Sequence, residues 1–168
     1  MNKELLIPIL QFVFFSLAQI VIFNAIDLFG YINPYPYILF LLLFSFTAER
    51  SIFLLIAFGT GLLMDIFGDS GGIHAAACIT LAYLRPIALR IAFGVSYEYN
   101  TIRISKTSLY ERFIYTLILV VIHHLVLFSL EVFNISNILY ILQKTLITSI
   151  FTLLLCILYT ILFGRHKK

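Results

Sequence analysis

Residues 59–78 read Gly-Thr-Gly-Leu-Leu-Met-Asp-Ile-Phe-Gly-Asp-Ser-Gly-Gly-Ile-His-Ala-Ala-Ala-Cys. This run brings two carboxylates (Asp65, Asp69), an imidazole (His74) and a thiol (Cys78) to one junction. Such a set could move a proton, hold a ligand or bind a metal. The metal reading of Asp65, His74 and Cys78 is weak, because no CxxC or HxxxH spacing supports it. A second candidate is the pair His123-His124. Adjacent helical residues point about 100° apart, so at most one of them faces any single site. No series of acidic partners lines the same depth, so a neutral imidazole bonded to a neighbouring helix is the economical reading. There is no P-loop, GxSxG, HExxH or cofactor fingerprint. The expectation is a non-enzymatic protein with no catalytic residue, cofactor or metal.

The elements that position these groups are nearly all apolar. The chain has 168 residues, of which 62% are hydrophobic and 11% charged. Its mean hydropathy is +1.06. Soluble domains carry about 25% charged residues, so the solvent for this surface must be lipid. The reading is an all-α membrane protein: one compact bundle of six transmembrane helices in a single polytopic domain. The expected spans are residues 5–26, 37–48, 51–67, 73–93, 109–133 and 138–163. The first run continues past Ser16-Leu17-Ala18, so a retained helix is expected there rather than a cleaved signal. The second is short: twelve helical residues cover only about 18 Å. Tyr31, Tyr35 and Tyr37 read as an interfacial aromatic belt. Pro86 is expected to end or kink the fourth span, leaving residues 87–95 along the interface. Cys78 and Cys156 read as small packing residues.

Charge gives the orientation. With six spans and a cytoplasmic N-terminus, ten of the eleven Lys and Arg residues fall on the cytoplasmic side, and only Lys144 does not. The positive-inside rule therefore places both termini in the cytoplasm. The net charge of +3 reflects this topology and attraction to anionic lipid, not nucleic-acid binding.

Within the third span, Ala57, Gly61, Asp65 and Gly68 recur at spacings of four, four and three and share a helix face. A small-residue face either packs on another helix of the same chain or accepts a partner's helix. The face carrying Ala57, Gly61 and Gly68 is taken as the partner groove. Asp65 is expected to brace the turn at Gly72, where backbone N–H groups at the start of the fourth helix are free. His74 reads as a hydrogen-bonding histidine near the interface. Glu131 and Lys144, facing each other across a short turn, read as an intramembrane ion pair. Arg103, Lys106 and Arg112 are candidates for cytoplasmic contacts.

The run from Gly61-Leu-Leu-Met-Asp65 through Gly72-Ile-His74-Ala75, followed by Tyr83, resembles the signature of the MreD family of rod shape-determining membrane proteins. The six-span layout and basic C-terminal tail also fit. The resemblance implies a non-enzymatic scaffold of the cell-elongation machinery in the bacterial inner (plasma) membrane, acting in cell shape and peptidoglycan synthesis. It implies binding to a single-span MreC-like protein. Through that protein it implies links to an MreB-like actin homologue, RodA and a class B penicillin-binding protein. MreD proteins are in turn similar to the substrate-binding S components of energy-coupling factor vitamin transporters, which implies an S-component-like bundle and an alternative role in micronutrient uptake. S components often carry Ala-x-x-x-Ala in the first helix. Here that helix has Ala18 among large side chains, which argues against transport.

Overall fold

The structure, a computed structural model, describes residues 3–26, 32–45, 48–94 and 107–163. Among these residues every regular element is helical: α1 (Lys3–Val21), α2 (Ile38–Leu43), α3 (Arg50–Gly68), α4 (Ile73–Phe93), α5 (Leu109–Val132) and α6 (Ile138–Phe163). Five of the six, all but α2, are long and apolar enough to cross a membrane. The distribution of side chains agrees. Gln19, Arg85, Arg112, His123, His124 and Thr148 are buried, whereas Leu55, Ile66, Leu139 and Leu146 are exposed. An apolar exterior around a polar interior is stable only where the surroundings are themselves apolar.

Local chemistry sets the helix ends. Ser108 and Glu111 form a reciprocal capping box that starts α5. Asp69 turns left-handed at φ 49° to end α3, and Gly72 at φ 99° begins α4. Only glycine adopts the Gly72 conformation without cost.

The second segment departs from expectation. Among its described residues it is helical only over Ile38–Leu43, not over the expected 37–48. Six residues rise about 9 Å. The helix is apolar all round, and Tyr37 to Leu42 are buried, as such a helix requires. Its end is held from outside. Tyr115 Oη donates to the Leu42 carbonyl at 3.3 Å. The Arg85 guanidinium donates to the carbonyls of Phe44 and Ser45. These partners satisfy carbonyls that a longer helix would have paired internally. α4 also differs: it runs through Pro86 to Phe93 without a separate interfacial segment.

Contacts fix the direction of each element. Tyr37 lies beside His74, and Phe44 beside Arg85, so residues 32–45 run parallel to α4. Gln19 meets Pro34 and Phe12 meets Phe40, so α1 runs opposite to that segment. α5 passes Arg85 at Tyr115 and Tyr37 at His123, antiparallel to α4. α6 returns past His124 at Thr152 and Arg112 at Thr160. The chain thus traverses the bundle six times. The start of α1 and the end of α6 lie at one end, with Arg50, Arg85 and Arg112. Asp65, His74, Glu131 and Lys144 lie at the other.

Candidate functional site

The junction of α3 and α4 is tied by Asp65, which is buried. Its Oδ1 accepts from Ser70 Oγ at 2.5 Å and from the His74 N–H at 2.9 Å, and Oδ2 accepts from the Ala75 N–H at 2.9 Å. A carboxylate at a helix N-terminus also complements the helix dipole. One turn earlier, Gly61 lies against the α4 backbone. A Cβ there would sit 2.5 Å from Ala75 Cα and 2.5 Å from the His74 carbonyl oxygen. Ala57 is fully buried on the same side. This corrects the assignment of Ala57 and Gly61 to a partner groove: the face is filled by α4 of the same chain. Gly68 lies beyond the packed part of that face and is exposed.

Tyr37 is the hub of the interior. Its hydroxyl lies 2.9 Å from His74 Nδ1 and 2.8 Å from His123 Nε2, with Cys78 Sγ at 3.6 Å. One hydroxyl proton serves two ring nitrogens, so Tyr37 donates to one ring and accepts from the other. His123 Nδ1 is buried with no partner among the described residues. An unpaired lone pair is tolerated better there than an unpaired N–H. The assignment is therefore His123 Nε2–H to Tyr37, and Tyr37 O–H to His74 Nδ1.

A second relay runs beside it. His124 Nδ1 lies 2.7 Å from the Val120 carbonyl, which only accepts, so that nitrogen carries the proton. Its Nε2 accepts from Thr152 Oγ1 at 3.3 Å, and Thr152 accepts from the Tyr35 N–H at 3.0 Å. The two adjacent histidines thus serve different neighbours. Together the relays clamp the chain before α2 to α4, α5 and α6.

The sequence reading missed this hub. Tyr37 is completely buried and Tyr35 half-buried, so neither belongs to an interfacial belt, and Tyr31 lies outside the described residues. The available signal was a tyrosine at the head of an apolar run, which a belt also produces. Tyr37→Phe is expected to lower stability by about 2–4 kcal/mol, because two ring nitrogens lose their shared partner. Unfolding of the variant in detergent micelles measures this, and an unchanged midpoint would remove Tyr37 as the hub.

Lys144 Nζ donates to both Glu131 oxygens, at 2.8 and 2.9 Å. It also lies 4.7 Å from the centre of the Phe128 ring. The Glu131 side chain is 43% exposed, so the pair is worth up to about 1 kcal/mol in water. Glu131→Lys should destabilise, and adding Lys144→Glu should restore most of the loss. A double variant no better than the single would break the pairing.

Arg112 turns inward. It donates to the Thr107 carbonyl at 2.8 and 3.2 Å and to the Thr160 carbonyl at 3.5 Å. This corrects its reading as a cytoplasmic contact, since Arg112 is 5% exposed and its guanidinium closes the α5–α6 end. Arg103 and Lys106 lie outside the described residues. Among the described residues no three His, Cys, Asp or Glu side chains form a metal-holding group. Asp65, His74 and Cys78 instead serve the brace and the hub.

A different surface is open. A groove of about 500 Å³ runs between α5 and α6, floored by Val121, Leu125, Leu146 and Leu153. Thr145 and Ser149 also line it, and their hydroxyls have no partner among the described residues. A further hollow of about 440 Å³ continues it along Ile150, Leu153 and Ile157. No family model, curated protein or solved structure matches the chain.

Proposed function

We propose that this protein is a non-enzymatic scaffold of MreD type in the bacterial inner membrane. In this reading it docks the single transmembrane helix of an MreC-like partner and so links cell-wall elongation to cell shape. The observation that carries the reading is the open groove between α5 and α6. It is apolar, and it runs along two membrane-length helices. The residues of the family-like motif support the same reading from inside. Gly61, Asp65, Gly72 and His74 build the joint between α3 and α4, which is what a scaffold needs held rigid. The arginine-rich end faces the cytoplasm under the positive-inside rule, together with the start of α1 and the end of α6.

Site-specific photo-crosslinking tests this in cells that co-express the single-span partner. A crosslinker at Leu146 or Leu153 should capture the partner's helix, and one at Leu55, exposed on α3, should not. Capture from Leu55 alone, or from no position, would overturn the assignment of the groove.

A further inference from the structure

The arginine-rich end holds a cavity of about 130 Å³ between the start of α3 and the second half of α4. Arg50, Phe53, Ala82, Arg85 and Pro86 line it, together with Ala48 and Leu89, and among the described residues no carboxylate lines it.

The two arginines are fixed in different ways. Arg85 is 4% exposed. Its Nε donates to Tyr115 Oη at 3.0 Å, and its guanidinium lies 4.3 Å from the centre of the Phe53 ring. Carbonyls of Phe44 and Ser45 take further N–H groups. These contacts orient the fork, so little freedom is lost when it meets a ligand. Arg50 is exposed, and its guanidinium lies 4.8 Å from the centre of the Tyr83 ring. One cation is therefore buried and preset, and the other borders the bilayer surface. The cavity has room for a tetrahedral oxyanion but not for a large organic ligand, which needs about 300 Å³ or more. Guanidinium pairs recognise phosphate by charge-assisted, often bidentate hydrogen bonds.

We infer that this cavity is a phosphate-binding site, shaped to take a phosphate oxyanion between Arg50 and Arg85. Two sources carry that chemistry: the headgroup of an anionic phospholipid and free inorganic phosphate. The position of Arg50, at the level where a spanning α3 meets the headgroups, favours the lipid.

The full chain is reconstituted in nanodiscs of phosphatidylcholine with a minor share of phosphatidylglycerol. Native mass spectrometry then counts the retained phosphatidylglycerol. Wild type should retain one molecule preferentially. Arg50→Gln should weaken that retention about fivefold, and Arg90→Gln, at an exposed arginine outside the cavity, should not. Arg85→Lys keeps the charge but loses the fork, and should also weaken retention. If that variant does not fold, the comparison of Arg50 with Arg90 decides alone. Inorganic phosphate added to protein in uncharged detergent identifies the other source, by thermal stabilisation that Arg50→Gln abolishes. Equal loss at Arg50 and Arg90, or equal retention in all variants without a phosphate effect, would overturn the site.

Discussion

Gly61→Leu is expected to give no folded protein in the membrane, whatever partners are present. The added Cβ alone would stand 2.5 Å from Ala75 Cα and 2.6 Å from the Ala75 nitrogen. Those atoms belong to the α4 backbone, which cannot rotate aside as a long side chain can. α3 and α4 would have to separate, and the Asp65 bonds one turn away depend on their closeness. Overpacking in ordinary cores costs about 1–3 kcal/mol. Here the backbone contact and the brace fail together, and typical domains have only about 5–15 kcal/mol in hand. Gly61→Ala should already be severe. Gly59→Ala should be tolerated, since a Cβ there meets nothing within 4 Å. Membrane levels and resistance to proteolysis measure the series. A well-folded Gly61→Leu protein would show that α3 and α4 do not pack this closely.

Asp65 carries the second large effect. Asp65→Ala strands the His74 and Ala75 N–H groups and the Ser70 hydroxyl, each at about 1–3 kcal/mol when left unpaired. The informative variant is Asp65→Asn, of nearly equal volume. The structure uses both carboxylate oxygens as acceptors. An amide offers one oxygen and one NH2, so a donor would face either His74 N–H or Ala75 N–H. Asp65→Asn should therefore fall close to Asp65→Ala, whereas Asp69→Asn should be mild, because Asp69 is exposed. Unfolding midpoints in one detergent compare the three. Wild-type behaviour in Asp65→Asn would leave the two-oxygen brace without support.

Much of the bundle is legible in the residues. Five of the six runs are apolar over membrane length, and that alone separates them. Asp65 at a glycine turn announces a cap, because a carboxylate beside free helix N–H groups has few other uses in lipid. Glu131 and Lys144 announce each other by the cost of leaving either alone. The α3 face was ambiguous, because Ala57 and Gly61 permit any close helix, and spacing does not say whose. α2 was illegible for a different reason. Its apolar composition fits a full helix, and it stops where Arg85 and Tyr115, 40 and 73 residues away, donate to the carbonyls at its end. The hub at Tyr37 has the same cause, since its partners come from α4 and α5.

The broken second segment has a consequence for how the protein is made. A helix that closes its own hydrogen bonds can enter lipid as soon as it leaves the ribosome. Residues 32–45 cannot, because in hydrocarbon the Leu42, Phe44 and Ser45 carbonyls would stand bare. Their donors, Arg85 and Tyr115, are synthesised two helices and three helices later. The segment must wait at the membrane surface or in a hydrated setting until α4 and α5 arrive, and then enter between them. Assembly order is thus written into one short helix: the second segment in the chain settles only after the fourth and fifth helices.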